Sequence, residues 1–408
     1  FFPSVFLLDD PLCSWHENSL VNMYSAGKGA VALTLMKMVD EGLLQLEDPV
    51  CLHWPEFAEV FSDSITDFAE TLVPLQPRDT HTGGKDTITV RHLASHQSGL
   101  AAPQEQLCGD EAWDWGKLNA MLARQKPAHP PGSAHGYHAI TFGNYLGELM
   151  TRVASTRLNK EVSTFSDLFQ DMVGKPLGLD MHFGTKDLDV LERVLDVDMP
   201  SPPPPASAEE RAAMSAEVLE ALKQGDTLMK AMADPRSETG RAFGVLGDLT
   251  RQQNSQEWRQ ACVPATTGLA NARSLARMYA GLSMDGVWPS DTTSCNSETG
   301  SEDLFFVSPE AIRTFSEVQV EGVDRILCLP ARFSEGFQVS LPDPLFSFGL
   351  SPGSFGHAGS GGSLGFADPE SQISFGYTLS SLQFVLPFMD SPAKCLVRSI
   401  QDILALKP

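Results

Sequence analysis

The stretch YSAGKGAVALTLMKMVDEG, residues 24–42, decides how the rest of the chain is read. From Ala30 to Met36 every residue except Thr34 is apolar, and Met38 and Val39 continue the run. A helix with so little polar surface is buried on most sides, and Gly42 suits the position that closes it. At the leading end, Ser25 and Lys28 stand three residues apart, so both side chains project from one face. A serine hydroxyl is a poor nucleophile until a base takes its proton. A partly desolvated lysine near the positive end of a helix dipole is biased towards the neutral amine that can be that base. The same helix end offers a backbone N–H to an oxyanion. Taken alone, Ser25-x-x-Lys28 also fits an ordinary helix cap followed by a solvated lysine, because so short a pattern arises often by chance.

Two further segments extend the pattern. Pro131-Gly132 lead into Gly136-Tyr137-His138-Ala139, between two helical stretches. Tyr137 in such a loop can both donate to and accept from a serine; its plainer reading is a packing tyrosine. Far downstream, FGHAGSGGS (355–363) places glycines where a strand must approach a ligand closely and present its N–H groups. Its plainer reading is a bulged strand or a tight turn.

The elements between these segments set the fold class. Thr89 can cap a helix over VRHLASH (90–96) before Ser98-Gly99 breaks it. Phe142, Leu146, Leu149, Met150 and Val153 lie on one face of a helix from about 140 to 153. Pro202 to Pro205 cannot continue a helix and favour an extended segment. Beyond them Ser207 and Glu210 form a capping box for a helix carrying Met214, Val218 and Leu222, read as a surface excursion and spacer. The last third is short apolar runs split by Gly, Pro and Asp: EGFQVS, LFSFGL, FGHAG, SLGFADP and ISFGYTLS. These predict antiparallel strands, with residues 368–371 as a hairpin connection. A closing helix starts at Ser391-Pro392, with Leu396, Ile400, Ile403 and Leu404 as its apolar face. The class is α/β, more narrowly α+β: an antiparallel sheet flanked by helices, plus a mostly helical lobe. One unit over 1–408 is expected, with a sheet lobe over about 1–50 and 236–408, a helical lobe over about 51–199 and the excursion over about 200–235.

Composition narrows the function. Lys and Arg number 29 against 52 Asp and Glu, a formal net charge of −23, so a nucleic-acid phosphate backbone is an unfavourable partner. The seven cysteines are widely spaced and form no C-x-x-C, which argues against a disulfide framework or a thiolate zinc site and towards a reducing, cytoplasmic setting. No apolar stretch is long enough to span a bilayer. The chain opens FFPSVFLLDD, without a basic segment, and is not read as a signal peptide; the absence of an initial Met points to a processed or truncated product.

Taken together, the three segments resemble the serine beta-lactamase-like family, which spans class C beta-lactamases, penicillin-binding-protein DD-peptidases, family VIII esterases and eukaryotic relatives. The S-x-x-K motif matches Ser25 to Lys28, the tyrosine motif Tyr137, and the H-x-G element His357-Ala358-Gly359. WPEF (54–57), VRHLASHQSGL (90–100), GLANARSLARMYAGL (268–282) and GGSLGFADPE (361–370) add to the likeness, which runs from about residue 20 to the end. The resemblance implies a beta-lactamase/transpeptidase-like fold and a hydrolase that forms an acyl-enzyme on Ser25. Lys28 and Tyr137 would move its proton, the N–H groups of Ser25 and Ser360 would form the oxyanion hole, and His357 would contact substrate or tune Tyr137. No metal or organic cofactor is implied, and the substrate is a small ester or amide. Two departures shape the expectation. Ala139 stands where a Y-x-N motif has an amide, which favours an esterase or peptidase over antibiotic hydrolysis. Only 24 residues precede Ser25, so Phe2 to Leu8 could supply one strand and the sheet is expected to lack an edge strand.

Three rivals remain. Gly361-Gly362-Ser363-Leu364-Gly365 fits the G-x-S-x-G nucleophile elbow, but no histidine follows to complete a triad. His92 and His96, or His135 and His138, could be thought of as metal ligands, but the first pair lacks the glutamate of H-E-x-x-H. A non-catalytic binding or scaffold protein on the same fold is the alternative to an enzyme.

Overall fold

The computed structural model describes residues 15–58, 84–105, 107, 109–198, 214–246, 252–288, 306–383 and 391–405. The chain enters through a two-residue strand, β1 (Val21–Asn22), takes one 3-10 turn over Tyr24–Gly27, and continues as α1 (Lys28–Asp40). Ten of the thirteen α1 residues are buried, as the apolar run requires. Thr34, the polar exception, returns its hydroxyl to the Ala30 carbonyl at 2.8 Å and so leaves no unpaired donor. Gly42 closes the helix at φ +70°.

Two antiparallel sheets frame α1. In the smaller, β1 and β2 (Met181–Phe183) flank the central β3 (Gly268–Ala270). The larger is a six-stranded meander in chain order: β4 (Val320–Val323), β5 (Pro330–Phe333), β6 (Gln338–Val339), β7 (Phe355–Ala358), β8 (Leu364–Asp368) and β9 (Ile373–Tyr377). The β8–β9 register pairs Asp368 with Ile373, so residues 369–372 form the expected hairpin connection. On its other side α1 packs against α2 (Phe142–Arg157), and its leading turn meets β7. α3 (Ala216–Ala233) lies in the expected excursion, α4 (Ala272–Ala280) covers β8 and β9, and α5 (Pro392–Ala405) closes the described chain. Among the described residues no helix is long and apolar enough to cross a membrane.

Several expectations need correction. LFSFGL (345–350) is a series of turns, because Asp343 captures the next residues: Leu345 N–H donates to its carboxylate at 2.8 Å and Ser347 N–H to its carbonyl at 2.8 Å. The α5 face is rotated. Ala393 and Val397 are buried, whereas Leu396 and Ile403 are exposed. The segment after the prolines packs rather than spaces: Ala221, Gly225 and Leu228 of α3 are buried, the α3 cap is Ser215, and Met214 precedes the helix. The Ser207–Glu210 capping box, the prolines and the possible strand at Phe2 to Leu8 lie outside the described residues.

One close approach fixes how α1 sits on α4. A Cβ placed on Gly29 would stand 2.0 Å from the Tyr279 hydroxyl and 2.9 Å from its ring. That hydroxyl is buried without a hydrogen-bond partner. Gly29→Ala is therefore expected to cost about 1–3 kcal/mol through overpacking. Tyr279→Phe alone should be close to neutral, because it deletes an unpaired buried polar group. The double variant should recover part of the Gly29→Ala loss, read as a shift of the urea midpoint at constant slope.

Candidate active site

Ser25 is presented by a strained entry. Tyr24, the residue before it, has φ +48°, a left-handed conformation that side-chain-bearing residues rarely adopt and that clusters at functional sites. The Tyr24 N–H is held by the Asn22 side chain at 3.2 Å. Ser25 then falls in the first turn of a 3-10 helix, where a backbone N–H has no intrahelical acceptor.

Lys28 lies one turn on and is completely buried. Its Nζ donates to the Ala139 carbonyl at 2.7 Å and the Ala265 carbonyl at 3.3 Å, and stands 3.0 Å from Ser25 Oγ. Burial holds its pKa well below the usual lysine value. A neutral amine has two N–H bonds and one lone pair. With the two carbonyls taking the N–H bonds, the lone pair is left facing the serine hydroxyl.

Tyr137 is also buried. Its hydroxyl is hydrogen-bonded with Ser25, and the Lys28 amine sits 4.8 Å from its ring centroid. Phe333 and His357 stack on the ring, with centroids 6.0 and 5.9 Å away. Burial raises the phenol pKa, against the lowering effect of the Ser25 hydrogen bond, so the hydroxyl keeps its proton at neutral pH. The third segment closes the site. A Cβ on Gly359 would lie 2.4 Å from the Met23 carbonyl, so only glycine allows this strand end to touch the turn that carries Ser25. Ser360 opens the following 3-10 turn and is exposed, with its N–H again in a first turn. His357 Nδ1 lies 2.7 Å from the Ala358 carbonyl, which assigns the proton to that nitrogen and leaves Nε2 a buried acceptor without a partner. Burial, then the nearby Lys28, hold this imidazole well below its usual pKa.

The rival residues have structural work. The Ser363 hydroxyl, buried, donates to the Met23 carbonyl at 2.7 Å and is followed by strand β8. It braces the turn that carries Ser25 and cannot meet a substrate. His92 Nδ1 accepts the Thr89 N–H at 3.2 Å within the helix cap, while His96 has left the helix at φ +62°. His96 Nδ1 accepts the His138 N–H at 3.1 Å, and His138 Nε2 is 2.7 Å from the Ser98 hydroxyl. Burial lowers both imidazoles, His138 to about 3, so both are neutral. Among the described residues no three His, Cys, Asp or Glu side chains are placed to hold a metal ion.

Asp324 escaped the sequence reading. It is wholly buried, and its Oδ1 accepts the N–H groups of Tyr137 at 3.1 Å, Ile326 at 2.8 Å and Leu327 at 2.8 Å. Its Oδ2 faces His135 Nε2 at 3.8 Å. Burial raises its pKa against those N–H bonds. No local signal marks a single aspartate that reaches a tyrosine 187 residues away.

Residues 11–390 match the Beta-lactamase family, and the chain belongs to it. It is a serine hydrolase of the esterase-like kind that this fold carries. The chain is 28% identical over 367 residues to the esterase/beta-lactamase LipL of Mycobacterium tuberculosis (strain ATCC 25618 / H37Rv), covering 88% of this chain and 69% of that protein. Among solved structures it is similar to a family VIII carboxylesterase (26% identity, TM-score 0.70, 95% of this chain and 84% of that one). It is equally similar to EstA from Arthrobacter nitroguajacolicus Rue61a (26% identity, TM-score 0.71, 95% and 85%). A penicillin-binding-protein homolog from Caulobacter crescentus matches at 26% identity and TM-score 0.70, over 96% of this chain and 84% of that one.

The Asp324 geometry makes a stability prediction. Asp324→Ala strips the acceptor from three buried N–H groups and should cost several kcal/mol, at about 1–3 kcal/mol for each group left unpaired. Asp324→Asn keeps one oxygen acceptor and removes the buried carboxyl, so its thermal midpoint should lie between those of the parent and the alanine variant.

Proposed function

We propose that Ser25 is the nucleophile of an esterase. The Ser25 hydroxyl passes its proton to the Lys28 lone pair as its oxygen bonds to the ester carbonyl carbon. The carbonyl oxygen becomes an oxyanion held by the N–H groups of Ser25 and Ser360; one such donor is typically worth about 3 kcal/mol of barrier. As the carbonyl re-forms, the bond to the alcohol oxygen breaks. Tyr137 hands its proton to that oxygen and is reprotonated from the Lys28 ammonium. Water repeats the sequence on the acyl-enzyme, releasing the acid and freeing Ser25. His357 offers its Nε2 to the substrate or to Tyr137.

The observation that carries this reading is the Lys28 amine, buried and fixed by two carbonyls with its third direction on Ser25 Oγ. The names of the relatives support ester substrates, and Ala139 offers no side-chain amide for an acylamide group. We also infer one catalytic unit, a sheet lobe and a helical lobe meeting at Ser25. A cytoplasmic setting is supported by the free cysteines Cys51, Cys262, Cys328 and Cys395.

A fluorophosphonate ester should add to Ser25, read by intact mass, and Ser25→Ala should abolish the adduct. An adduct unchanged by that substitution ends the reading. Lys28→Met and Tyr137→Phe should each lower kcat/KM for an activated ester by about 10²–10⁴. The depressed Lys28 pKa gives the pH dependence its sign. Acylation needs the neutral amine, so the rate should fall towards acid and level off at a pH far below the ordinary lysine range.

A further inference from the structure

We propose that His96 is the positioning residue of the tyrosine loop: one histidine in a left-handed turn fixes the peptides on both sides of Tyr137 and so keeps the phenol on Ser25. The proposal rests on the reading of Tyr137 as the group that carries a proton between Lys28 and the leaving oxygen.

The chain puts His96 where a helix ends. The short helix Val90–Ala94 is closed by Ser95, and the backbone then turns through His96 at φ +62°. The Gln97 N–H donates back to the His92 carbonyl at 2.8 Å, which completes the turn. Glycine is the ordinary occupant of such a place, because a Cβ is strained there. A histidine in its stead calls for a use of the side chain, and strained residues gather at functional sites.

The contacts supply that use. The His96 carbonyl accepts the Gly136 N–H at 3.0 Å, and its Nδ1 accepts the His138 N–H at 3.1 Å. The Tyr137 N–H between them goes to Asp324 at 3.1 Å. Three consecutive N–H groups are thereby fixed, the outer two by one residue. The residues after His96 dock along the same loop. The Gln97 carbonyl takes the Gly132 N–H at 2.9 Å, the Gly99 carbonyl takes the Ala128 N–H at 2.8 Å, and the Ser98 hydroxyl lies 2.7 Å from His138 Nε2. The buried His96 ring also packs on Tyr137, with centroids 5.1 Å apart, and edge-on to Phe333, which stacks on the same tyrosine.

Nδ1 can accept the His138 N–H only while it is bare, so the ring proton belongs on Nε2. Burial holds the imidazole well below its usual pKa, and the acceptor is kept at neutral pH. Tyr137 has to meet both Ser25 and the departing oxygen. A loop displaced by about 1 Å is enough to lower the rate about 10²-fold. Because His96 acts through Tyr137, the loss falls on kcat, while KM moves less than about threefold.

The test separates the acceptor from the backbone. Asparagine tolerates the left-handed conformation and carries a side-chain oxygen acceptor, whereas glycine takes the conformation without any acceptor. For phenyl acetate, His96→Asn should keep at least about a third of the parent kcat, and His96→Gly should lose about 10²-fold. In a Tyr137→Phe background the same glycine substitution should lower the remaining kcat less than about threefold, because the group being positioned is gone; a purely structural residue would cost both backgrounds alike. On the unaltered protein, nitrogen NMR should show a bare Nδ1 and a protonated Nε2 for the histidine whose signals vanish in His96→Asn. A proton on Nδ1, a glycine variant as active as the asparagine one, or an equal loss in the two backgrounds overturns the proposal. A parent that takes no fluorophosphonate at Ser25 and hydrolyses no ester overturns the esterase reading instead, and leaves the nitrogen spectrum unchanged.

Discussion

Everything at this site follows from the cost of burying an amine. Lys28 has no solvent exposure, and a buried ammonium without a counter-charge is far more costly than a buried neutral amine. The side chain's nearest polar neighbours are the Ala139 carbonyl, the Ala265 carbonyl and Ser25 Oγ, and none of these carries a full charge. Burial therefore biases the amine towards its neutral form, and its direction is set by the two carbonyls. One belongs to the tyrosine loop and the other to the segment leading into β3, so the two must be held still for the lone pair to stay on the serine.

That requirement gives the surrounding polar contacts a common purpose. Asp324 fastens the tyrosine loop by taking the Tyr137 N–H, and the same carboxylate oxygen closes its own turn through Ile326 and Leu327. The Gly136 N–H donates to the His96 carbonyl at 3.0 Å, and the His138 N–H to His96 Nδ1. The imidazoles of His96 and His357 are held towards their neutral forms chiefly by burial, the same effect that acts on Lys28. The short helix Glu238–Phe243, just past the excursion, joins the same network. Its Thr239 hydroxyl donates to the Ile326 carbonyl at 2.8 Å, and Glu238 makes a two-pronged ion pair with Arg325.

What could be read in the sequence was what is local. The buried helix announces itself in residues 30–39, the Thr89 cap in three neighbouring residues, and the β8–β9 hairpin in its Asp-Pro turn. The residues proposed for the site could be picked out for the same reason, since Ser25 and Lys28 share one turn and the glycines of 359–362 stand together. What failed depends on tertiary partners. β1, β2 and β3 are two or three residues long and too short to show a period. Leu396 and Ile403 look like a core face until Ala393 and Val397 take that place. Asp324 carries no motif at all.

Ala139 shows how a departure from a motif can leave its chemistry in place. The residue lacks the side-chain amide of Y-x-N, which reads as a lost contact. In the folded chain it is the backbone carbonyl of this position that meets Lys28, at 2.7 Å, and any residue supplies a carbonyl. Under the proposed mechanism, the part of the motif that positions the base is therefore independent of the side chain, while the part that would meet an acylamide is absent. The substitution separates the machinery of proton transfer from the recognition of substrate. A site that keeps the first and drops the second draws its selectivity from surfaces other than this side chain.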